Sequence, residues 1–242
     1  MYLCYLKKNN NQNTPFGEIK KLGFGDIEYK ILDNDIDFNT LDDEGVLKEI
    51  SKKLGIEKSS PKNKADVHIN GMGYSIKYMN AAAPSIINHT NRKGFLRIAN
   101  QLKINISDLD ELVNKYWDLR ISNQITEDCG NNNPLSPFKD NREILRSYLE
   151  YFCFTGTGSS DSKNPADNLI KFNKFDDPSS WRIYSKENTV DEIWDGLYFC
   201  MRGGKGMPKN YSSSKDKKVI EPWTRYSSEK YRGALSVRYK FK

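Results

Sequence analysis

The sequence predicts an α+β protein, with a central mixed β-sheet flanked by helices. Three observations favour this class. Several segments carry apolar residues at helical spacing, short runs of alternating apolar and polar residues lie between them, and no strict strand–helix–strand order is kept. A chain of 242 residues is long enough to bury its own core. We therefore expect a single domain over 1–242, with a basic C-terminal segment at about 200–242.

The predicted elements follow from local patterns. An amphipathic helix runs from Glu44 to Leu54 and ends at Gly55, and a β-hairpin follows over 64–80. A helix starts at Ser107, with Asp110 completing a capping box, and runs to about Arg120. The remaining elements are a loop at 128–137, a helix from Asp140 through Phe152, strands at Asn168–Phe172 and Trp181–Tyr184, a helix that begins at Thr189 with Glu192 in a second capping box, and a strand at Ala234–Phe241.

The composition excludes several classes of protein. No segment approaches the eighteen consecutive apolar residues of a membrane span, and the N-terminus lacks the order of a signal peptide. The four cysteines are scattered and form no CxxC, which is typical of buried thiols in a reducing compartment. We therefore expect a cytoplasmic protein, a monomer or homodimer, with no membrane partner.

Charge is distributed unevenly along the chain. The net charge is +6, yet from Arg202 to Lys242 twelve Lys or Arg residues face only three acidic ones. Aromatic residues are interspersed among these basic residues, a pattern typical of surfaces that bind a polyanion such as nucleic acid. A solvated basic surface is the alternative interpretation.

The hairpin at 64–80 combines polar side chains in an unusual way. With Gly71 and Met72 as the turn residues, Asp66 lies opposite Lys77 and His68 lies opposite Ser75. Because side chains alternate between faces, these four share one face of the hairpin. The opposite, apolar face comprises Val67, Ile69, Tyr74, Ile76 and Tyr78.

A carboxylate beside a lysine suits phosphodiester cleavage. The carboxylate can hold Mg²⁺, and the lysine can orient a water molecule or stabilise developing negative charge. An ordinary exposed ion pair between Asp66 and Lys77 is the structural alternative, worth well under about 1 kcal/mol.

The stretch SPKNKAD followed by YSIK resembles the PD-(D/E)xK signature of type II restriction endonucleases. Within that superfamily the chain is most similar to the monomeric enzymes that cut CCGG, which also carry Ser-Pro-Lys before the aspartate. The similarity extends through ISDLDELVNKY and YFCFTGTGSSDSKNPADNLIKF, and so covers roughly residues 45–175. The chain departs from the signature at Ser75, which stands where the second carboxylate usually lies.

The resemblance implies a restriction-endonuclease-like fold and a Mg²⁺-dependent enzyme that cuts double-stranded DNA at specific sequences. Asp66 would be the metal ligand and Lys77 the catalytic lysine. Ser75 would help to hold a metal-bound water, and the carbonyl of Ile76 would complete the coordination. With one carboxylate we expect one Mg²⁺. Candidates for a compensating acid are Glu28, Glu44 and Glu49.

Two further segments are candidates for contact with DNA. Polar and basic residues follow the hairpin, and more occur in the C-terminal segment, where arginines are suited to read guanine. The predicted contacts are Asn91, Arg92, Lys93, Lys205, Lys209, Arg225, Arg232 and Arg238.

Other functions are disfavoured or remain as alternatives. Two histidines are too few for an HNH or zinc nuclease, G-x-S-x-G is absent, and no P-loop signals a nucleotide cofactor. The alternatives are a non-catalytic nucleic-acid-binding protein, and a repair or phage nuclease of the same superfamily without site specificity.

Overall fold

The computed structural model describes residues 1–9, 14–31, 44–56, 60, 62–79, 82–203, 222–228 and 230–240. The chain divides into two compact units, each described by itself. Unit 1 comprises residues 1–81 and 161–187, and unit 2 comprises residues 82–160 and 188–242. The single domain expected from the sequence stays a prediction.

Helices and strands alternate irregularly along the chain. The helices are α1 (Tyr2–Lys8), α2 (Glu44–Lys53), α3 (Arg92–Leu102), α4 (Ile106–Ile121), α5 (Arg142–Glu150) and α6 (Lys186–Ile193). The strands are β1 (Leu22–Phe24), β2 (Ile27–Glu28), β3 (Val67–Ile69), β4 (Met72–Tyr78), β5 (Ser85–Asn91), β6 (Cys129–Gly130), β7 (Asn168–Phe172), β8 (Arg182–Ser185), β9 (Leu197–Arg202), β10 (Arg225–Ser227), β11 (Lys230–Arg232) and β12 (Ala234–Tyr239). A π-helical segment, Tyr151–Thr155, continues α5.

Unit 1 is built on a six-stranded mixed sheet in the order β2-β1-β3-β4-β7-β8. Every neighbouring pair is antiparallel except β4 and β7, which are parallel. One face of this sheet buries apolar side chains in a cluster that includes Leu6 of α1, Leu22, Val67, Ile69 and Ile170. The mixed sheet with flanking helices confirms the predicted fold class.

Unit 2 contains a four-stranded antiparallel sheet in the order β5-β12-β9-β6, and β10 and β11 form a separate hairpin. Its core is rich in aromatic side chains, among them Phe95, Trp117 and Trp223. Trp223 is 1% exposed, and its indole N–H donates to Asp110 Oδ1 at 2.7 Å. Its backbone carbonyl accepts from the indole of Trp117 at 2.8 Å.

Most elements lie where the sequence predicts them. β7 has the predicted bounds, and α2, α4, α5, β8 and β12 fall within a few residues of theirs. Helix α2 is followed by Gly55 at φ +69°, as its predicted C-terminal position requires. No helix in the described part of the chain combines the length and apolar character that a membrane crossing needs.

The predicted register of the hairpin is wrong by two residues. Val67 lies opposite Tyr74, His68 opposite Gly73 and Ile69 opposite Met72, so the turn residues are Asn70 and Gly71. Both have positive φ, at 53° and 87°, as a type I′ turn requires. Because the shift is an even number of residues, each strand residue keeps its predicted face.

Two predicted capping boxes are also wrong. Helix α4 begins one residue before Ser107, and Asn105 is its N-cap, accepting a hydrogen bond from the Ser107 N–H at 3.1 Å. Thr189 does not start α6 but lies inside it, fully buried. In both places the Ser/Thr-x-x-Asp/Glu spacing occurs inside a helix, where it caps nothing.

Candidate active site and nucleic-acid-binding residues

Asp66 immediately precedes β3 in unit 1. Its backbone N–H donates to the carbonyl of Tyr74 at 2.8 Å, and its carboxylate Oδ2 accepts from the N–H of Ile76 at 2.7 Å. Ile76 stands between Ser75 and Lys77 on β4, and the Asp66 side chain is exposed. The predicted metal ligand is therefore held against the strand that carries the other two predicted site residues.

The side chains of β4 alternate as the sequence predicts. Tyr74 and Ile76 belong to the apolar cluster, so Ser75 and Lys77 lie on the other face. Ser75 is only 3% exposed and Lys77 is partly buried. Within the described residues, Asp66 and Lys77 form no ion pair at 4.0 Å or less, so the simple cross-strand pair considered from the sequence is not formed.

The described ranges contain no group of three or more His, Cys, Asp or Glu residues that could hold a metal ion. Glu28 pairs with Lys7 Nζ at 2.6 Å, and this hydrogen bond lowers the pKa of Glu28. Glu49 lies on α2, and the side chain of Glu44 lies outside the described part of the structure. Among the described side chains, therefore, neither Glu28 nor Glu49 belongs to a metal-binding group of three or more residues with Asp66.

A second lysine lies beside Lys77 in the sheet, and sequence reasoning missed it. Lys171 on β7 is the register partner of Lys77, and Arg182 on β8 is the register partner of Lys171. These three cationic residues therefore share one row and one face of the sheet. Lys171 is 9% exposed, with its Nζ 5.8 Å from the ring centroid of Tyr184. No local pattern could reveal this row, because it depends on pairing between distant segments.

The predicted contacts of unit 2 at 91–93 have three different roles in the structure. Asn91 is the N-cap of α3, and its side chain accepts from the Gly94 N–H at 3.1 Å. Arg92 forms a bidentate ion pair with Asp110 at 2.8 and 2.6 Å, and this pairing raises the pKa of Arg92. Lys93 is exposed, and the described residues give it no ion pair.

The C-terminal arginines also differ in their contacts. Arg232 pairs with Glu127 at 2.6 Å, and its side chain is 14% exposed. Arg225 donates to the carbonyls of Pro222 and Thr224. The side chain of Arg238 makes no hydrogen bond or ion pair with any described residue. Lys205 and Lys209 lie outside the described residues.

The two units thus offer different chemistry. Unit 1 presents a carboxylate, a hydroxyl and a row of cations on one sheet, and unit 2 presents exposed basic groups beside others already paired within the fold. No protein-family model, curated protein or solved structure matches this chain.

Proposed function

We propose that this protein is a Mg²⁺-dependent endonuclease that cuts double-stranded DNA at specific sequences, as type II restriction enzymes do. The observation that carries the proposal is the contact between the Asp66 carboxylate and the N–H of Ile76, at 2.7 Å. It ties a potential metal ligand to the strand that bears Ser75 and Lys77. A solvent-exposed carboxylate with a fixed orientation is what binding of a hard cation requires.

The donor atoms fit a single Mg²⁺. Asp66 and the carbonyl of Ile76 offer only oxygen, the ligand type that this cation prefers, and the Ser75 hydroxyl can hold a metal-bound water. Asp66 Oδ2 accepts from Ile76, and Oδ1 accepts no hydrogen bond from a described residue. One carboxylate is sufficient, because Mg²⁺ commonly keeps several waters and takes further oxygens from a substrate phosphate. When bound, Mg²⁺ supplies charge neutralisation at the phosphate and activation of a water molecule.

The residues of the chain have separate tasks in this proposal. The N–H of Ile76 orients the Asp66 carboxylate. Lys77 Nζ donates hydrogen bonds to a non-bridging phosphate oxygen and stabilises the negative charge that develops there. Ser75, which is nearly buried, orients a water molecule through its hydroxyl. In unit 2, Lys93 and Arg238 are favoured as DNA contacts, because the described residues leave both without an ion pair.

The test is digestion of a sequenced supercoiled plasmid with Mg²⁺, with Ca²⁺, and with a chelator. We expect discrete linear fragments with Mg²⁺ alone. A smear would favour the repair or phage nuclease, and DNA binding without cutting in any metal would favour the non-catalytic binding protein. Sequencing the fragment ends then gives the recognition site and the stagger.

A further inference from the structure

Unit 2 contains an open cleft of about 880 Å³. Three separate segments line it: the end of β5 with the start of α3, the loop at 157–159, and Gly203 after β9. Sites for small molecules and cofactors typically fall between about 300 and 1,000 Å³. The cleft is therefore large enough for one nucleotide.

The lining of the cleft is cationic and rich in hydrogen-bond donors. Lys93 and Arg97 contribute positive charge, and Asn88, His89 and Ser159 contribute neutral polar groups. None of the described lining residues is acidic. None of them is a Phe, Tyr or Trp, and His89 is the one aromatic ring among them. This chemistry favours the phosphate over the base of a nucleotide.

A β-bulge presents Asn88 and His89 to the cleft. From Leu235 opposite Thr90 to Val237 opposite Ile87, β5 advances by one residue more than β12. The extra residue disrupts the ladder at 88–89, and both side chains there are exposed. Bulges re-aim side chains in this way, and they are over-represented beside functional sites.

The loop at 157–159 forms a fixed wall of the cleft. The Arg97 guanidinium donates to the carbonyls of Thr157 and Gly158, at 2.7 and 3.3 Å. Gly158 also lies against Thr90 so closely that a Cβ there would stand 2.5 Å from Thr90 Cγ2. Hydrogen bonds of the Arg97 guanidinium are thereby directed to the loop, and Lys93 is the exposed cation among the described lining residues.

His89 contributes a hydrogen bond and not a charge. Partial desolvation lowers the pKa of His89 although the side chain is still exposed, and the nearby charges of Arg202 and Arg238 lower it further. The imidazole is therefore mostly neutral at pH 7, where it can donate or accept a hydrogen bond. Lys93 would then contact a phosphate through its charge, and His89 through a neutral hydrogen bond. Binding over a salt series separates the two, because salt weakens mainly the charged contact.

We propose that this cleft is a nucleotide-phosphate site, in which Lys93, His89, Asn88 and Ser159 contact the phosphate of a single nucleotide. The nucleotide is either free or part of a single strand, and the two sources share the same chemistry. The proposal goes beyond the nuclease function and does not depend on it, because the cleft is assigned from residues of unit 2 alone.

The experiment is calorimetric titration of the full chain, without divalent metal, with four probes. These are inorganic phosphate, deoxyadenosine monophosphate, deoxyadenosine and a short single-stranded deoxyoligonucleotide. We expect the monophosphate to bind, phosphate to compete with it, and deoxyadenosine not to bind. Tighter binding of the oligonucleotide than of the monophosphate would identify a strand as the source, and the reverse would identify a free nucleotide.

Matched variants locate the site. Lys93→Ala should weaken binding of the monophosphate about tenfold, whereas Lys115→Ala, an exposed lysine of α4 outside the cleft, should not change it. His89→Leu should weaken binding several-fold and His89→Gln less, because glutamine keeps a hydrogen-bonding group. Equal affinity for deoxyadenosine, no binding of any probe, or equal losses in Lys93→Ala and Lys115→Ala would each overturn the proposal. The experiment measures binding in the absence of metal. A failure of the protein to cut DNA would therefore not contradict the proposed phosphate site.

Discussion

The predicted active site of unit 1 and the cleft of unit 2 differ in how the chain assembles them. Asp66, Ser75 and Lys77 belong to one hairpin, so their association is visible in a short stretch of sequence. The cleft draws on three segments that are far apart in the chain, and no motif joins them. Local hydrogen bonds position the first group, and a bulge, a guanidinium and close glycine packing position the second.

The largest effect should come from the hairpin. Asp66→Ala and Lys77→Ala should each reduce DNA cleavage by at least about a thousandfold, since they remove metal binding and charge stabilisation respectively. DNA binding in Ca²⁺ should change little. Lys20→Ala, at a lysine with a 73% exposed side chain, is the control for loss of one positive charge. Full activity of Asp66→Ala or Lys77→Ala would contradict the assignment of these residues to an active site.

Ser75 should have an intermediate effect. Ser75→Ala should slow cleavage about ten- to a hundredfold, which is typical for residues that support a metal site indirectly. Ser75 is 3% exposed, so Ser75→Leu or Ser75→Glu should also overpack the sheet, at a cost of about 1–3 kcal/mol. Rates should therefore be compared at equal folded fractions, determined by thermal unfolding. A Ser75→Ala enzyme as fast as the wild type would show that the hydroxyl has no role.

Arg92 and Lys93 are adjacent, and the structure predicts opposite results for them. Arg92→Ala should lower the free energy of unfolding by about 2–3 kcal/mol, because it leaves the partly buried Asp110 without its bidentate partner. Lys93→Ala should leave that free energy within about 0.5 kcal/mol of the wild type. Urea denaturation measures both. If the two variants were equally stable, the ion pair between Arg92 and Asp110 would make no contribution to the free energy of unfolding.

The packing of Gly158 against Thr90, beside the cleft, can be tested by a double-mutant cycle. Gly158→Ala should destabilise the protein by about 1–3 kcal/mol, because the new Cβ would meet Thr90 Cγ2 at 2.5 Å. Thr90→Ser removes that methyl group and keeps the hydroxyl that donates to the Asn88 carbonyl. The double variant should therefore recover about 0.5–2 kcal/mol relative to additivity. Strictly additive costs would mean that the two side chains do not meet.

The smallest expected effect is on the salt dependence of DNA binding. Lys93→Ala should flatten the log–log slope by about 0.9, the contribution of one neutralised phosphate. His89→Gln should leave the slope unchanged at pH 7, because the imidazole is already mostly uncharged. Binding of a random duplex over a salt series gives both slopes. A slope that changed for His89→Gln would indicate that the histidine binds DNA in its charged form.

The sequence anticipated the elements of the fold better than their ends. Alternation and apolar content were sufficient for β7 and for the apolar face of the hairpin. The turn was misplaced because Gly71 can serve at either of two positions. Asn70-Gly71 is the dipeptide that type I′ turns prefer, and both of its residues have positive φ. The capping box at Ser107 failed because Asn105, outside the pattern, is the N-cap of α4, and the one at Thr189 failed because α6 begins at Lys186.

The sequence located only those contacts of the candidate site that are local. The Asp66 contact with β4 follows from a hairpin, whereas the row of Lys77, Lys171 and Arg182 requires strands β4, β7 and β8 to pair in one register. Arg92 could not be recognised as a structural residue from sequence, because its partner Asp110 lies on another helix. Whether a basic side chain can contact DNA depends on ion pairs with residues that are distant in the sequence. The residue type alone does not reveal those partners.

The parallel pairing of β4 and β7 also affects how the protein is made. β4 ends at Tyr78 and β7 begins at Asn168, so the ribosome must synthesise residues 82–160 between them. At about 5–20 residues per second, the hairpin emerges several seconds before its parallel neighbour. During that time β4 has an open edge, which is a template for unwanted strand pairing. The nascent chain therefore passes through a stage at which chaperone binding to the hairpin would protect it from aggregation.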